Sequence, residues 1–326
     1  MAKITILGSG GWGMALAMVA EANGHNVTLW TPFSDECENL VRNHGNEKLL
    51  AGIKLSETIK VTTDINEAEG SLITVIATPS FAVRETAKKL SAVKNTGVIT
   101  CVAKGFEKGT TLRLSEVIRS EIKENPIVAL SGPSHAEEVA RGIPTMLSAA
   151  SDDESAAKTV QKALSNGFMR IYTNSDIIGV ELGGAIKNVL AVAAGVCDGM
   201  GLGDNSKAAL ITRGLVEMSR LGVAMGAAEQ TFSGLAGLGD LIVTCTSKHS
   251  RNNRFGNLVG SGVAIDEALK TVGTVEGYFA AEMTLELARK YNVSMPIVEV
   301  CYGVLYEGLP LMRTVKYLMT RPFGSE

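Results

Sequence analysis

Six residues near the amino terminus restrict the architecture more than anything else in the chain. Gly8-Ser9-Gly10-Gly11-Trp12-Gly13 fits G-x-G-x-x-G, follows the strand-like run Lys3–Leu7 and opens a helical stretch. The spacing alone is a weak signal, but between a strand and a helix it has a mechanical reading. Gly8 permits the tight turn, Gly10 lets a pyrophosphate approach the backbone, and Gly13 lets helix and strand pack closely. The helix N-terminus then turns free N–H groups and a favourable dipole toward the anion. The bland alternative is a glycine-rich turn that holds no ligand.

The rest of the first half continues the same alternation. Strands are predicted at Lys3–Leu7, Asn26–Trp30, Leu72–Ala77, Gly97–Val102, Ile127–Leu130 and Thr145–Ala149, with Ile171–Thr173 as an edge strand. Helices are predicted over Trp12–Asn23, Ala82–Leu90, Leu112–Glu124 and Glu154–Leu164. Strands alternating with amphipathic helices imply a doubly wound parallel sheet, an α/β Rossmann-like architecture. After Asn174 no convincing strand follows. Helical periods run through Ile177–Cys197, Lys207–Met225, Asp266–Val272, Tyr278–Tyr291, Ile297–Glu307 and Thr314–Met319, with Ser294-Met295-Pro296 as a stop and restart. A chain of 326 residues is too long for one ordinary core. The expectation is a dinucleotide-binding domain over 1–178 and an all-helical substrate domain over 179–326.

Charge and cysteine usage exclude several function classes. A net charge of −3 gives no global attraction for nucleic acid or an anionic membrane, so an anionic ligand needs a local cluster of Lys and Arg. The longest apolar stretch, Ile177 to Cys197, carries Glu181 and Lys187 near its middle and reads as a core helix, not a membrane span. Five scattered cysteines without C-x-x-C argue against a disulfide framework and against a zinc site or other metal centre. With no secretory signal at the amino terminus, they point to the reducing cytoplasm.

The residue that chooses between cofactors is less plain. An Asp or Glu at the end of the second strand would bind a ribose 2′-hydroxyl, and an Arg would accept a 2′-phosphate. The chain has Trp30-Thr31-Pro32-Phe33-Ser34 there; Asp35 and Glu36 come slightly late, and Arg42 is a helical turn or more too far. NAD and NADP both stay open, with NAD favoured because no Arg is placed for a second phosphate. Two later strand ends, Ala77-Thr78-Pro79-Ser80 and Val102-Ala103-Lys104-Gly105, lie where such sheets bind ligands. Lys104 there could reach an anion or a reacting carbonyl, or be a solvated loop lysine.

The best catalytic candidate is Lys187, in Gly183-Gly184-Ala185-Ile186-Lys187-Asn188. Burial in an apolar helix disfavours its charged form, which suits a general acid that must protonate an alkoxide. Gly183, one turn earlier, would leave room for substrate. The competing readings are a lysine snorkelling to water, or one paired with Glu181. Asp240, after the glycines of Gly234-Leu235-Ala236-Gly237-Leu238-Gly239, is either a helix N-cap or a carboxylate that orients the lysine. Ser250-Arg251-Asn252 is the densest polar cluster of the helical half, and the planar fork of Arg suits phosphate. His135 is a further candidate acid, though a His beside Gly132-Pro133-Ser134 is more often a polar loop residue.

Gly184-Ala185-Ile186-Lys187-Asn188 through Gly203-Asp204-Asn205 resembles the diagnostic stretch of NAD(P)-dependent glycerol-3-phosphate dehydrogenase. The blocks Ala103-Lys104-Gly105, Ser131-Gly132-Pro133-Ser134, Gly237-Leu238-Gly239-Asp240-Leu241, Ser250-Arg251-Asn252 and Val275-Glu276-Gly277 agree in order. The resemblance implies a helical second domain like that of 6-phosphogluconate dehydrogenase, with Lys187 as proton donor and acceptor. It implies a substrate site lined by Lys104, Gly132, Ser134, Asp240, Ser250, Arg251 and Asn252. It implies cofactor contacts at Gly11, Trp12, Lys104, Ala136, Arg251, Val275 and Glu276. A homodimer that supplies the glycerol backbone of phospholipids is implied too. Two departures stand out. Many bacterial members carry Arg soon after the second-strand Trp, where this chain has Pro32 and Phe33. The stretch Val272–Gly277 is one residue short, which shifts Val275 by one position. Two rival readings remain: a dehydrogenase of non-phosphorylated hydroxy acids on the same architecture, and a dinucleotide-sensing regulator without turnover.

Overall fold

The computed structural model describes residues 1–94 and 96–322. Among these residues eight strands form one sheet: β1 (Lys3–Leu7), β2 (Asn26–Trp30), β3 (Lys60–Thr62), β4 (Ile73–Ile76), β5 (Val98–Cys101), β6 (Ile127–Ser131), β7 (Thr145–Ala150) and β8 (Met169–Asn174). Their order is β3-β2-β1-β4-β5-β6-β7-β8. The strand sequences explain their place. Ile73–Ile76 and Val98–Cys101 are buried at every residue, as expected of short apolar runs covered by helices on both faces. In the edge strand β8, Met169 and Ile171 are buried while Arg170 and Tyr172 are exposed, the period of two of a half-covered strand.

The sheet departs from the all-parallel expectation in one place. β6 pairs β7 antiparallel, with Leu130 opposite Ala149, and β8 then runs parallel to β7. The connection between β6 and β7 contains only the four-residue helix Ala136–Val139. A parallel crossover needs a helix long enough to span the sheet, and this one is too short. The sequence reading also passed over β3 and the Ser34–Asn43 helix. Both are short, and the helix buries only Leu40.

By compactness the chain divides into one unit of Met1–Glu107 and Leu112–Glu181, and a second of Lys108–Thr111 and Leu182–Glu326. The core of the first is built on Ile4, Ile6, Leu29, Ile73 and Val75, against Leu16 and Val19 of the Gly11–Ala22 helix. Among the described residues the second unit contains helices and their connections and no strand. Its central element is the Ile177–Gly199 helix, which is long and apolar enough to cross a membrane, yet 89% of its apolar window is buried inside the protein. The Arg251–Gly260 helix packs on it backbone to backbone. A Cβ on Gly256 would stand 2.0 Å from the Val192 carbonyl oxygen, and one on Gly195 2.1 Å from that of Asn253. Only glycine allows that approach, so these two helices are fixed in register.

Candidate functional site

The first unit builds a cradle at the point where the strand order reverses. β1 lies between β2 and β4, so the turn after β1 opens at the carboxyl ends of the strands beside the loop after β4. Gly8 has φ +123°, and a Cβ on it would press within 2.8 Å of the Ala77 backbone. A Cβ on Gly13 would stand 1.9 Å from the Gly8 carbonyl oxygen, so the helix can sit against the turn only without a side chain. Gly10 differs: nothing lies within 4 Å of its Cβ position. Two glycines close the turn and the third keeps its approach clear, at a helix N-terminus that no side chain caps. These residues fit a dinucleotide pyrophosphate. Gly11 and Ala136, 125 positions apart in sequence, are brought to 3.6 Å by the fold, measured from the Cβ that Gly11 lacks. Trp12 packs half-buried against the core.

Three of the expected substrate residues meet in the same unit. Lys104 Nζ donates to the Gly132 carbonyl oxygen at 2.9 Å, and Ser134 Oγ donates to the same oxygen at 2.9 Å. Gly132 takes φ +138°, a backbone conformation that favours glycine. His135 precedes the Ala136–Val139 helix as its half-buried N-cap residue, and its ring makes no capping bond.

The second unit carries the lysine. Lys187 is 5% exposed, and its Nζ donates to Asp240 Oδ1 at 2.7 Å and to Thr244 Oγ1 at 2.6 Å. Thr244 spends its own hydrogen on the Asp240 carbonyl at 2.6 Å, so its oxygen is left to accept from the ammonium. Asp240 is 1% exposed. It is the first residue of the Asp240–Thr246 helix rather than its N-cap, and a π-helical turn, Leu235–Gly239, delivers it. A buried pair of this kind is interdependent: removing one partner strands a charge at a cost of about 3–5 kcal/mol.

Two expectations about this helix are corrected. Glu181 is not the partner of Lys187. Its carboxylate accepts from Arg113 Nη1 at 2.6 Å and from the Ser115 amide and hydroxyl at 2.7 and 2.6 Å. Burial pushes the Glu181 carboxyl up, against the pull of Arg113. Gly183 does not leave room for substrate, because a Cβ there would lie 2.5 Å from the Ala236 carbonyl oxygen. Its small size admits the π-helical turn that presents Asp240.

A second buried chain of hydrogen bonds starts beside Lys187. Asn252 Nδ2 donates to Asn188 Oδ1 at 2.9 Å, and Asn252 Oδ1 accepts from the Gly277 amide at 2.9 Å. Asn188 Nδ2 returns to the Gly184 carbonyl at 3.3 Å. Asn252 therefore ties the lysine helix to the start of the Glu276–Lys290 helix. Val275 is fully buried, backbone included, before that start, while Glu276 is half-buried. Ser250 is the N-cap of the Arg251–Gly260 helix, its hydroxyl accepting from the Asn253 amide at 3.2 Å. Arg251 is exposed at the first helical position, and its side chain makes no hydrogen bond or ion pair among the described residues. Thr244 and Asn188 had not been singled out in sequence. The signals were slight: Thr244 is one helical turn from Asp240, and Asn188 directly follows Lys187. Burial pushes the nearby Cys245 thiol up to about 12, which keeps it protonated and unreactive at neutral pH.

A cradle of this geometry is made for a dinucleotide, and a lysine held on a buried carboxylate suits the proton that accompanies hydride transfer. The class is that of the dinucleotide-dependent oxidoreductases. Residues 3–157 match the family model of the NAD-dependent glycerol-3-phosphate dehydrogenase N-terminus, and residues 176–316 that of its C-terminus. The glycerol-3-phosphate dehydrogenase [NAD(P)+] of Fusobacterium nucleatum is 49% identical over 326 residues, covering 98% of this chain and 97% of that one. That of Clostridium perfringens is 47% identical over 329 residues, covering 100% and 99%. The crystal structure of glycerol-3-phosphate dehydrogenase from Coxiella burnetii superposes with a TM-score of 0.94 at 39% identity, covering 98% of this chain and 99% of that one. The chain belongs to the NAD-dependent glycerol-3-phosphate dehydrogenase family and is an NAD(P)-dependent oxidoreductase.

Proposed function

We propose that the protein reduces dihydroxyacetone phosphate to sn-glycerol 3-phosphate with Lys187 as the proton donor. The observation that carries this reading is the buried Lys187–Asp240–Thr244 arrangement, in which two acceptors fix the ammonium at 2.7 and 2.6 Å. When bound, NAD(P)H supplies the hydride for C2 of the substrate. Lys187 Nζ gives its proton to the C2 oxygen as negative charge grows there, and takes it back in the reverse reaction. Asp240 and Thr244 hold the lysine aimed, so that little is lost to reorganisation.

Arg251 is the chief phosphate ligand in this reading, because its planar fork makes two parallel bonds to phosphate oxygens and it has no competing partner among the described residues. Ser250 fixes the start of the Arg251 helix, and Asn252 adds the second hydrogen of the amide whose first goes to Asn188. Lys104, Gly132 and Ser134 form a further group for the substrate. Gly8, Gly10, Gly11, Trp12, Gly13 and Ala136 hold the cofactor, with Lys104, Arg251, Val275 and Glu276 as additional contacts. NAD is preferred over NADP, since no Arg follows Trp30 at the end of β2. The five free cysteines, four of them buried, suit a reducing cytoplasm. By family resemblance the enzyme is a homodimer that feeds phospholipid synthesis.

The test is oxidation of NADH and of NADPH, measured separately with dihydroxyacetone phosphate at neutral pH. Rapid oxidation that depends on the phosphorylated substrate is expected. Oxidation with non-phosphorylated keto acids, and none with dihydroxyacetone phosphate, would instead select a hydroxy-acid dehydrogenase. Cofactor binding without turnover on any of them would select a sensor.

A further inference from the structure

The end of β2 holds a polar arrangement that the proposed chemistry does not use. Trp30 is 3% exposed, and its indole Nε1 donates to the Thr63 carbonyl at 2.9 Å. The Thr31 amide donates to the Thr62 carbonyl at 3.1 Å, so the strand end is pinned to the segment that follows β3. Thr31 itself is 1% exposed. Its oxygen accepts weakly from the Phe33 amide at 3.4 Å, which turns its single hydrogen the other way. That hydrogen goes to Glu36 Oε2 at 2.5 Å, a charge-assisted bond. Glu36, five residues along the chain, is thus drawn back from the first turn of the Ser34–Asn43 helix to the strand terminus. Linear spacing puts this carboxylate too late; folding puts it on the residue that directly follows β2.

In a sheet of this order, the end of the second strand faces the adenosine ribose of the dinucleotide held at the glycine turn. β2 is hydrogen-bonded to β1 along its length, with Leu7 opposite Trp30, so the Gly8 turn and Thr31 leave the sheet side by side. The Gly8 amide donates to the Trp30 carbonyl at 2.9 Å. Around Glu36 the charges add in one direction. Asp35 and Glu38 flank it, and the helix carries its one cation, Arg42, in its last turn. Among the described residues no Lys or Arg bonds to Glu36. The Cys37 thiol next to it is pushed up by burial and by the Glu38 and Glu36 charges.

We infer that Glu36, positioned by Thr31, is the cofactor selector of this enzyme: it accepts a hydrogen bond from a ribose 2′-hydroxyl and repels a 2′-phosphate. The inference rests on the dehydrogenase reading and deepens it, because that reading favours NAD only on the want of an arginine. Here the preference has an active cause. A carboxylate within a few ångströms of a phosphate that carries up to two negative charges disfavours NADPH by roughly 10- to 100-fold at the effective dielectric of a protein surface. Thr31 is a positioning residue: it touches Glu36 and acts through it.

The experiment is equilibrium titration of the purified protein with NADH and, separately, NADPH, followed by calorimetry or quenching of the two tryptophans, with no substrate present. The native chain is expected to bind NADH at least tenfold more tightly. Glu36→Gln is expected to lower that ratio about tenfold or more, chiefly by tightening NADPH, and Thr31→Val to lower it in the same direction by less. NADH binding that persists in both variants reports an intact fold. Equal affinities in the native chain, or a ratio that Glu36→Gln leaves unchanged, would overturn the selector. A chain that binds neither nucleotide would overturn the dehydrogenase reading itself, a different result from either.

Discussion

The glycine cradle and the lysine pocket reach the same end, an ordered binding surface, by opposite routes. The cradle is contiguous: Gly8, Gly10 and Gly13 act within six residues, against the backbone of that turn and of neighbouring Ala77. The lysine pocket is dispersed. Lys187 meets Asp240 and Thr244 across 53 and 57 positions, and Asn188 meets Asn252 across 64. Its geometry is set by glycine seams between helices, where Gly183, Gly195 and Gly256 let one backbone rest on another. A contiguous motif tolerates change elsewhere in the chain. A dispersed one fails when any of several packing contacts shifts.

That contrast orders the expected effects of substitution. The largest belongs to Gly13→Ala, whose Cβ would collide with the Gly8 carbonyl at 1.9 Å. Loss of NADH binding by more than about 100-fold is expected, with a fall in Tm, because the helix must move off the turn. Gly10→Ala sharpens the point: its Cβ meets open space, so Tm should hold within a few degrees while NADH binding still weakens. Equal Tm losses in the two variants would break the distinction between the packing and the clearing glycines.

Asp240→Asn should come next, lowering kcat about 100-fold with little change in NADH affinity. It removes the charge that holds Lys187 and leaves a buried ammonium on a neutral amide. Thr244→Val, which keeps the carboxylate, should cost about tenfold. If Thr244→Val proved the more damaging, the hydroxyl would be the principal anchor. Arg251→Ala should raise KM for dihydroxyacetone phosphate by roughly 10- to 100-fold and lower kcat much less, as loss of a charge-assisted phosphate contact does. An unchanged KM would remove Arg251 from the phosphate site.

The smallest effect is one of stability, in the helical unit alone. Glu217 is 6% exposed and accepts from the Ile297 amide at 3.0 and 3.1 Å, capping the Pro296–Glu307 helix. Burial pushes its carboxyl up from 4.5 to about 7, against the amides of Ile297 and Val298 and the charge of Arg220. The folded state therefore holds this proton more tightly than the unfolded chain does. The stabilisation is fully present below about pH 4.5 and is lost as pH rises through about 7. The loss is at most about 3 kcal/mol for a shift of that size. Melting curves between pH 5 and 8 should show Tm falling, and Glu217→Gln should flatten the slope. An equally steep slope in the variant would assign it to other groups.

The same contrast explains what could be read from the sequence. Strand β2 and the Glu154–Leu164 helix fall where periodicity places them, because each carries its own apolar pattern and boundary residues. The burial of Lys187 was legible, because a lysine in an apolar helix lies where its charge needs a partner, and Asp240 is that partner. The antiparallel step between β6 and β7 was not legible, since strand sequences do not encode direction and only the short Ala136–Val139 connection decides it. Nor was the role of Gly183, whose neighbour Ala236 lies far along the chain. Thr244 was not singled out, since its partner Lys187 lies 57 positions away. Glu36 was seen, but its bond with the Thr31 hydroxyl, five residues back, was not.

The central claim, that Lys187 moves the proton, is tested most directly by Lys187→Met with NADH and dihydroxyacetone phosphate under single-turnover conditions. Hydride transfer is expected to slow by about 100- to 10,000-fold, the range for loss of a general acid. The Kd for NADH is expected to stay within about twofold, since the cradle is built without this lysine. A variant that transfers hydride at a rate near that of the native enzyme would contradict the account.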